Sequence, residues 1–203
     1  MGLSVWGASA TRQPVLGIWQ HVTRWNNNAA RDNTRRRVFC MSLGDFFEDH
    51  PIANELRPHA WDSIRESPML DWQILTKRPE RIADNLPEDW GRGWPHVWLG
   101  TSIEDNRVVA RADILRRIPA RVHFISYEPA LGPLNKLNLR HIEWVIYGGE
   151  SGSGYREHDL QWARDMRERC RSRGVAFFYK QASGARPGSE PHLDGETIKE
   201  FPR

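Results

Sequence analysis

The tetrapeptide Thr76-Lys77-Arg78-Pro79 follows an apolar run and places two cations where a chain segment gives way to a proline-opened helical turn. Cations beside free backbone N–H groups at such a junction suit a phosphate or a carboxylate. A second chemically suggestive segment is Gly148-Gly149-Glu150-Ser151-Gly152-Ser153-Gly154. Its glycines permit close approach of backbone to a ligand, and Glu150 can accept from an amine or a ribose hydroxyl. The segment lacks the full GxGxxG dinucleotide pattern, and no GK[ST] follows, so it is not a P-loop. Asp45, Glu104 and Glu128 each stand just after another apolar run. Converging, they could act as acid and base or hold a polar cofactor; alternatively, they pair with Lys77, Arg78 or Lys180 in a structural network. The pattern contains no HExxH, no G-x-S-x-G and no Cys/His spacing suited to zinc. His123, inside an apolar run, reads as a satisfied core histidine.

These residues need elements to carry them. Six short runs end in polar clusters: Val38 to Leu43, Trp72 to Leu75, Val97 to Gly100, Val122 to Ser126, Trp144 to Tyr147 and Val175 to Tyr179. They are rich in Val, Ile and aromatics, too short for helices and not cleanly alternating, which predicts strands buried on both faces of a parallel sheet. Helical spacing is expected over Ile52–Glu66 with Pro58 marking its start, over Pro79–Leu86, over Asp105–Ile118, and over His158–Arg173 closed by Gly174. The alternation predicts α/β architecture, a partial (β/α) barrel of about six mainly parallel strands. Ligands gather at the carboxyl ends of such strands. Three segments are expected: an N-terminal cover (1–34) with Trp6, Trp19, Trp25 and a short helix, a barrel core (35–181), and a C-terminal tail (182–203) packing over the body.

Composition narrows the class. The chain has 203 residues, 39% hydrophobic, without a long uncharged apolar stretch, so a spanning helix and a secretory signal are not expected and cytoplasmic residence is the default. Its two cysteines, Cys40 and Cys170, form neither a disulfide framework nor a metal motif. Net charge is +3, yet Arg35, Arg36 and Arg37 are contiguous, and Arg164, Arg167, Arg169, Arg171 and Arg173 crowd one helix. They are either a nucleic-acid surface or solvated helix faces alternating with Asp165 and Glu168. Ten tryptophans are an excess; most are expected in the core, with Trp90 and Trp94 exposed in a Gly/Pro-rich loop.

In series, several strand-end segments resemble the phage-type three-cysteine-motif proteins, a largely uncharacterised family of phages and bacteria related to radical S-adenosylmethionine enzymes. They are Val38 to Asp45, Gln73 to Arg81, Val97 to Asp105, Ser126 to Pro133, Trp144 to Gly154 and Phe177 to Gln181, with a weaker echo in Trp6-Gly7. The resemblance implies a radical-enzyme-like partial barrel holding a four-iron cluster on three cysteines, with S-adenosylmethionine at the strand ends. It assigns the nucleoside cofactor or substrate to Lys77, Arg78, Ser102, Glu104, Glu128, Gly148, Gly149, Glu150 and Lys180. This sequence departs from the pattern in three places. No cysteine precedes Cys40, Tyr127 replaces the usual cysteine before Glu-Pro, and Ala182-Ser183-Gly184 follows Lys180-Gln181 in place of Trp-Gly. Two distant thiols cannot supply the three-thiolate site, so the expectation is a scaffold with its first βα unit missing, which keeps the pocket and has no route to radical chemistry. A longer N-terminus carrying the cysteines would restore an enzyme acting on a nucleobase. The competing expectation is a non-catalytic nucleic-acid or protein adaptor using Arg35, Arg36, Arg37, Arg164, Arg167 and Arg171. A metal-independent hydrolase or phosphotransferase using the carboxylates with Lys77 ranks last, because no nucleophile–base pair can be assigned.

Overall fold

The computed structural model describes residues 12, 17–42 and 44–202. The expectations for Trp6, for Trp6-Gly7 and for a strand reaching Leu43 lie wholly or partly outside them. Six strands form one sheet: β1 (Arg36–Cys40), β2 (Leu70–Thr76), β3 (Val97–Ser102), β4 (Val122–Tyr127), β5 (Trp144–Gly148) and β6 (Ala176–Gln181). Every neighbouring pair is parallel, and the spatial order is the chain order. An order that never reverses sends successive right-handed crossovers over the same face, so the sheet curls with its connections outside. The result is the expected partial (β/α) barrel, a half-barrel.

Alternation along the strands separates two apolar layers. Leu70, Trp72, Ile74, Val97, Leu99, Ile125, Tyr127, Val145 and Tyr147 face outward into the main core, shared with Trp61 and Ile64 of α2 (Pro51–Arg65) and Ala163, Met166 and Cys170 of α4 (Leu160–Arg173). Trp98, Val122, Phe124, Trp144 and Ile146 face inward and form a second cluster with Leu75, Phe178 and Phe201. Residues 198–200 run antiparallel along the free edge of β6: the Tyr179 amide donates to Ile198 O at 2.9 Å and the Glu200 amide to Phe177 O at 3.1 Å. Phe201 then sits 5.3 Å from Trp144, centroid to centroid, with the Arg37 guanidinium 3.5 Å above its ring. Because Arg37, Trp144 and Ala176 lie at strand starts, this segment seals the amino end of the concave face and leaves the carboxyl end as the mouth. Residues 198–201 therefore pack against the sheet.

Several local expectations change. β1 is exposed at alternate positions, with Phe39 exposed on the concave side, so two-sided burial holds for β3, β4 and β5 and not for the first strand. Its position at the sheet edge is the reason. Helix α1 (Ile18–Arg31) buries Val22 and Ala29 in the outer core and packs on α2, β1 and β2. Pro58 lies inside α2; Pro51 occupies the first turn, where a missing N–H costs nothing. Residues Pro79–Leu86 form two 3₁₀ turns, Pro79–Arg81 and Ala83–Asn85, and Asp105–Ile118 forms the 3₁₀ turn Asn106–Val108 before the short α3 (Ala110–Leu115). Gly174 closes α4 in the left-handed region at φ 67°. Trp90 and Trp94 are buried at 5% and 8% exposure, correcting the exposed-loop expectation. Both pack 5.6–5.7 Å from Trp61, and Trp90 Nε1 donates to Pro119 O at 2.9 Å, so the loop folds inward around its indoles. Among the described residues no helix is long and apolar enough to cross a membrane.

Candidate functional site

The carboxyl-end mouth is built around one half-buried acid. Asp45, in the loop after β1, accepts from Thr76 Oγ1 at 2.6 Å and the Phe47 amide at 3.0 Å through Oδ1. Through Oδ2 it accepts from the Lys77 amide at 3.0 Å and from Arg78 Nη1 at 2.8 Å. Four donors satisfy the carboxylate, so Asp45 is a clamp between the loops after β1 and β2, and Arg78 is engaged by it. Arg57, buried at 6% exposure, steadies the same loop by donating to Phe46 O at 2.9 Å and Glu48 O at 2.8 Å. With its backbone held, Lys77 extends its side chain across to β3 and meets Glu104 Oε1 at 2.5 Å. The other oxygen of Glu104 accepts from Arg111 Nη1 at 3.0 Å, and the same nitrogen donates to Ser102 O at 2.9 Å.

A second Lys–Glu pair stands further round the rim. Lys180 of β6 donates to Glu128 Oε1 at 2.7 Å, reaching over β5 to the end of β4. Gly148 makes this geometry possible: a Cβ there would lie 3.0–3.1 Å from the Glu128 carboxyl and its Cγ. The glycine thus clears space for an acid contributed by the neighbouring strand. Ser102 and Ser126 are register partners just below the rim, both nearly fully buried. The inner face therefore grades from an aromatic floor through two hydroxyls to paired charges. Lys77 and Lys180 have side chains 52% and 49% exposed, whereas Glu104 and Glu128 are 14% and 23% exposed. The lysine ends of both pairs are therefore half-exposed, where an incoming ion can exchange partners with them.

Two of the expected site residues turn elsewhere. Glu150 binds Arg156 of its own loop, with Oε2 accepting from Nε at 2.8 Å and from the backbone amide at 2.7 Å. These hydrogen bonds pull its carboxyl down to about 2. Gly149 packs against the chain after β6, where a Cβ would fall 2.2 Å from the Ser183 amide nitrogen. Its close approach is to protein backbone. Tyr127, which stands where the resemblance expects a cysteine, faces the outer core: it is fully buried, its hydroxyl donates to Gly132 O, and its ring lies 5.0 Å from Tyr147.

The cysteines do not fit an iron–sulfur cluster. Among the described residues no three His, Cys, Asp or Glu side chains are grouped to hold a metal. Cys40 is on β1 and Cys170 on α4, and burial pushes both thiols up to about 12, away from the thiolate a cluster needs. The arginines are occupied within the chain. Arg35 pairs with Asp71 at 2.7 Å, Arg164 with Asp194 at 2.7 Å, Arg167 with Glu196 at 2.6 Å and Arg171 with Glu168 at 3.2 Å. Arg36 binds Asp32, and Arg37 covers Phe201.

Residues 5–202 match the family described as Protein of unknown function (DUF5131). The chain belongs to that family. No curated protein and no solved structure matches it. The DUF5131 match covers α1, all six strands and the closing C-terminal segment, so the rim and its sealed floor fall inside the region that defines the family.

Spacing alone missed one arrangement. His158, before α4, and Ser183, after β6, meet with Nδ1 2.8 Å from Oγ. They are 25 residues apart and belong to different connections, so only the β5–β6 register brings them together.

Proposed function

We propose that this DUF5131 chain is a ligand-binding half-barrel of radical-S-adenosylmethionine ancestry and phage type, which takes a zwitterionic nucleoside of the S-adenosylmethionine class at its mouth. The observation that carries the reading is the duplicated Lys–Glu pair, Lys77–Glu104 and Lys180–Glu128, on one rim above an aromatic-floored concave face. An amino-acid moiety offers a carboxylate and an ammonium together. Each rim pair offers the complementary ammonium and carboxylate, so binding exchanges one set of ion pairs for another without leaving a charge unpaired. Ser102 supplies a hydroxyl within the same layer, and Gly148 keeps the Glu128 carboxyl in place. Arg78, Gly149 and Glu150 support the loops around the rim. The donor set does not suit a four-iron cluster, so no radical step is assigned to this chain.

Calorimetric titration with S-adenosylmethionine and S-adenosylhomocysteine tests the proposal. Saturable binding is expected, weakened at least tenfold by Glu128→Gln and by Lys77→Met, with both variants retaining the wild-type melting temperature. Absence of binding by either nucleoside at millimolar concentration would refute it.

A further inference from the structure

Exposed arginines without a carboxylate partner collect at the end of the sheet opposite the mouth. Arg92 lies in the turn entering β3, Arg117 and Arg121 in the segment entering β4, Arg140 in the segment entering β5, and Arg173 ends α4 just before β6. All five are exposed, and among the described residues none forms an ion pair; Arg140 Nε donates to the neighbouring His141 at 3.2 Å. Packing gathers them into one face. A Cβ on Gly93 would fall 2.8 Å from Ala120 Cα, so the Arg92 turn rests directly on the segment that carries Arg121. The Trp90 bond to Pro119 O pins the same two segments together. Arg116 Nη2 donates to Asn138 O at 2.6 Å, which brings the Arg117 turn against the segment holding Arg140. The Glu143 amide donates to His123 O at 2.9 Å and the Ala176 amide to Glu143 O at 3.1 Å, lacing together the entries of β4, β5 and β6. The carboxylates here are mostly engaged. Asp89 pairs with Arg65, Asp113 with Arg116, and Glu143 accepts from the His123 amide at 2.7 Å, so among the described residues of these segments Glu88 is the one acid without a partner. The seal formed by residues 198–201 separates this face from the concave site.

We propose that this basic end face binds duplex DNA through its phosphates, without reading sequence. The starts of four adjacent parallel strands, β3 to β6, span about 14 Å. Successive phosphates of one strand advance about 3.4 Å along the duplex axis, so the row matches about four of them. The cations are arginines, whose planar forks can each donate two hydrogen bonds to one phosphate. No aromatic ring is exposed at these entries, because Trp90 and Trp94 are buried. The exposed large hydrophobics of the described residues, Trp19, Phe39, Met41 and Leu160, lie on α1, on β1 and the residue after it, and at the start of α4. Single strands and RNA loops are held by stacking their bases on rings, and membranes by burying apolar side chains. A closed duplex is the polyanion that needs neither.

Fluorescence anisotropy with a short labelled DNA duplex of mixed sequence tests the face on the full chain. About four or five phosphate contacts give a slope of log affinity against log salt of about −3.6 to −4.5, a loss of about 100–500-fold between about 50 and 200 mM salt. The double variant Arg121→Gln/Arg140→Gln is expected to reduce the magnitude of that slope by about 1.8. It is expected to keep the wild-type melting temperature, since neither guanidinium bonds to a carboxylate. Arg164→Gln/Arg167→Gln, on the arginine-rich α4, is expected to leave the slope unchanged, because those guanidiniums are held by Asp194 and Glu196. No duplex binding at low salt, or a wild-type affinity that hardly changes over this salt range, overturns the proposal even if a variant unfolds. So does an unaltered slope in folded Arg121→Gln/Arg140→Gln. Tighter binding of a single strand of the same sequence, or sedimentation with phosphatidylserine vesicles without duplex binding, likewise overturns it. None of these outcomes bears on nucleoside binding, which calorimetry reads separately.

Discussion

Replacing Gly100 with alanine tests the concave floor on which the site stands. Gly100 is on β3 and faces inward, and the ring of Phe124 from β4 lies flat across it. A Cβ at position 100 would fall 2.3, 2.3 and 2.5 Å from three atoms of that ring, more than 1 Å inside van der Waals contact. The ring cannot retreat freely, because it is fully buried and its centroid is 5.6 Å from that of Trp144. Overpacking of this kind costs about 2–3 kcal/mol, the upper part of the usual range. The backbone conformation at Gly100 suits any residue, so the lower entropy of the unfolded alanine chain returns roughly 0.5–1 kcal/mol. The net loss is about 1–2.5 kcal/mol, and for a chain of this length each kcal/mol moves Tm by about 2–4 °C, so a fall of about 2–10 °C is expected. Phe124→Leu removes the offending ring edge and by itself costs about 1–2 kcal/mol of apolar burial. In the double variant the two losses are expected to fall short of their sum by about 1 kcal/mol or more, since alanine then occupies vacated space. Urea unfolding followed by circular dichroism measures all four proteins. A Gly100→Ala protein melting within 1 °C of wild type would show that the ring does not cover the glycine. Strict additivity in the double variant would refute the contact equally.

Three further outcomes follow from individual contacts. The folded-state carboxyl of Glu150 lies near 2, below its ordinary 4.5, so the unfolded chain takes up this proton first on acidification. Its stabilisation is complete above about pH 4.5 and disappears as the pH falls toward 2, and Glu150→Gln is expected to flatten stability against pH in that window, measured by urea midpoints. Equal slopes would contradict the Arg156 pairing. Cys170 is fully buried with its thiol pushed up to about 12, so alkylation by iodoacetamide at pH 8 is expected at least 100-fold more slowly in native protein than in urea, read by mass spectrometry. Comparable rates would place that thiol at the surface. Trp90→Ala removes a buried indole packed on Trp61 and Trp94 together with its bond to Pro119 O, and is expected to cost about 3–5 kcal/mol in urea unfolding. A loss under 1 kcal/mol would return Trp90 to the solvent-exposed class.

Much of the architecture was legible because its causes are local. Runs such as Val97 to Gly100 and Trp144 to Tyr147 carry the composition of doubly buried strands, and Gly174 closes α4 because glycine enters the left-handed region without steric cost. Likewise, Lys77, Glu104, Glu128 and Lys180 could be placed at one end of the sheet from their positions after apolar runs. Exposure of Trp90 and Trp94 was misread because Gly and Pro mark a turn without saying which way its side chains face. The short, broken helices after β2 and β3 escaped periodicity for a related reason: one or two turns offer too few residues to establish a repeat.

Partnership was decided only in three dimensions. Lys77 to Glu104 spans 27 residues and Lys180 to Glu128 spans 52, while Glu150 finds Arg156 six residues away. No spacing rule ranks such pairs, because an ion pair depends on which strands adjoin and in what register. The same holds for Ser183 and His158, brought together by the pairing of β5 with β6, and for Phe201, which closes the floor from the far end of the chain. Residue type and local order set what each segment could do. Long-range packing chose which charges were neutralised and which face of the sheet was left open.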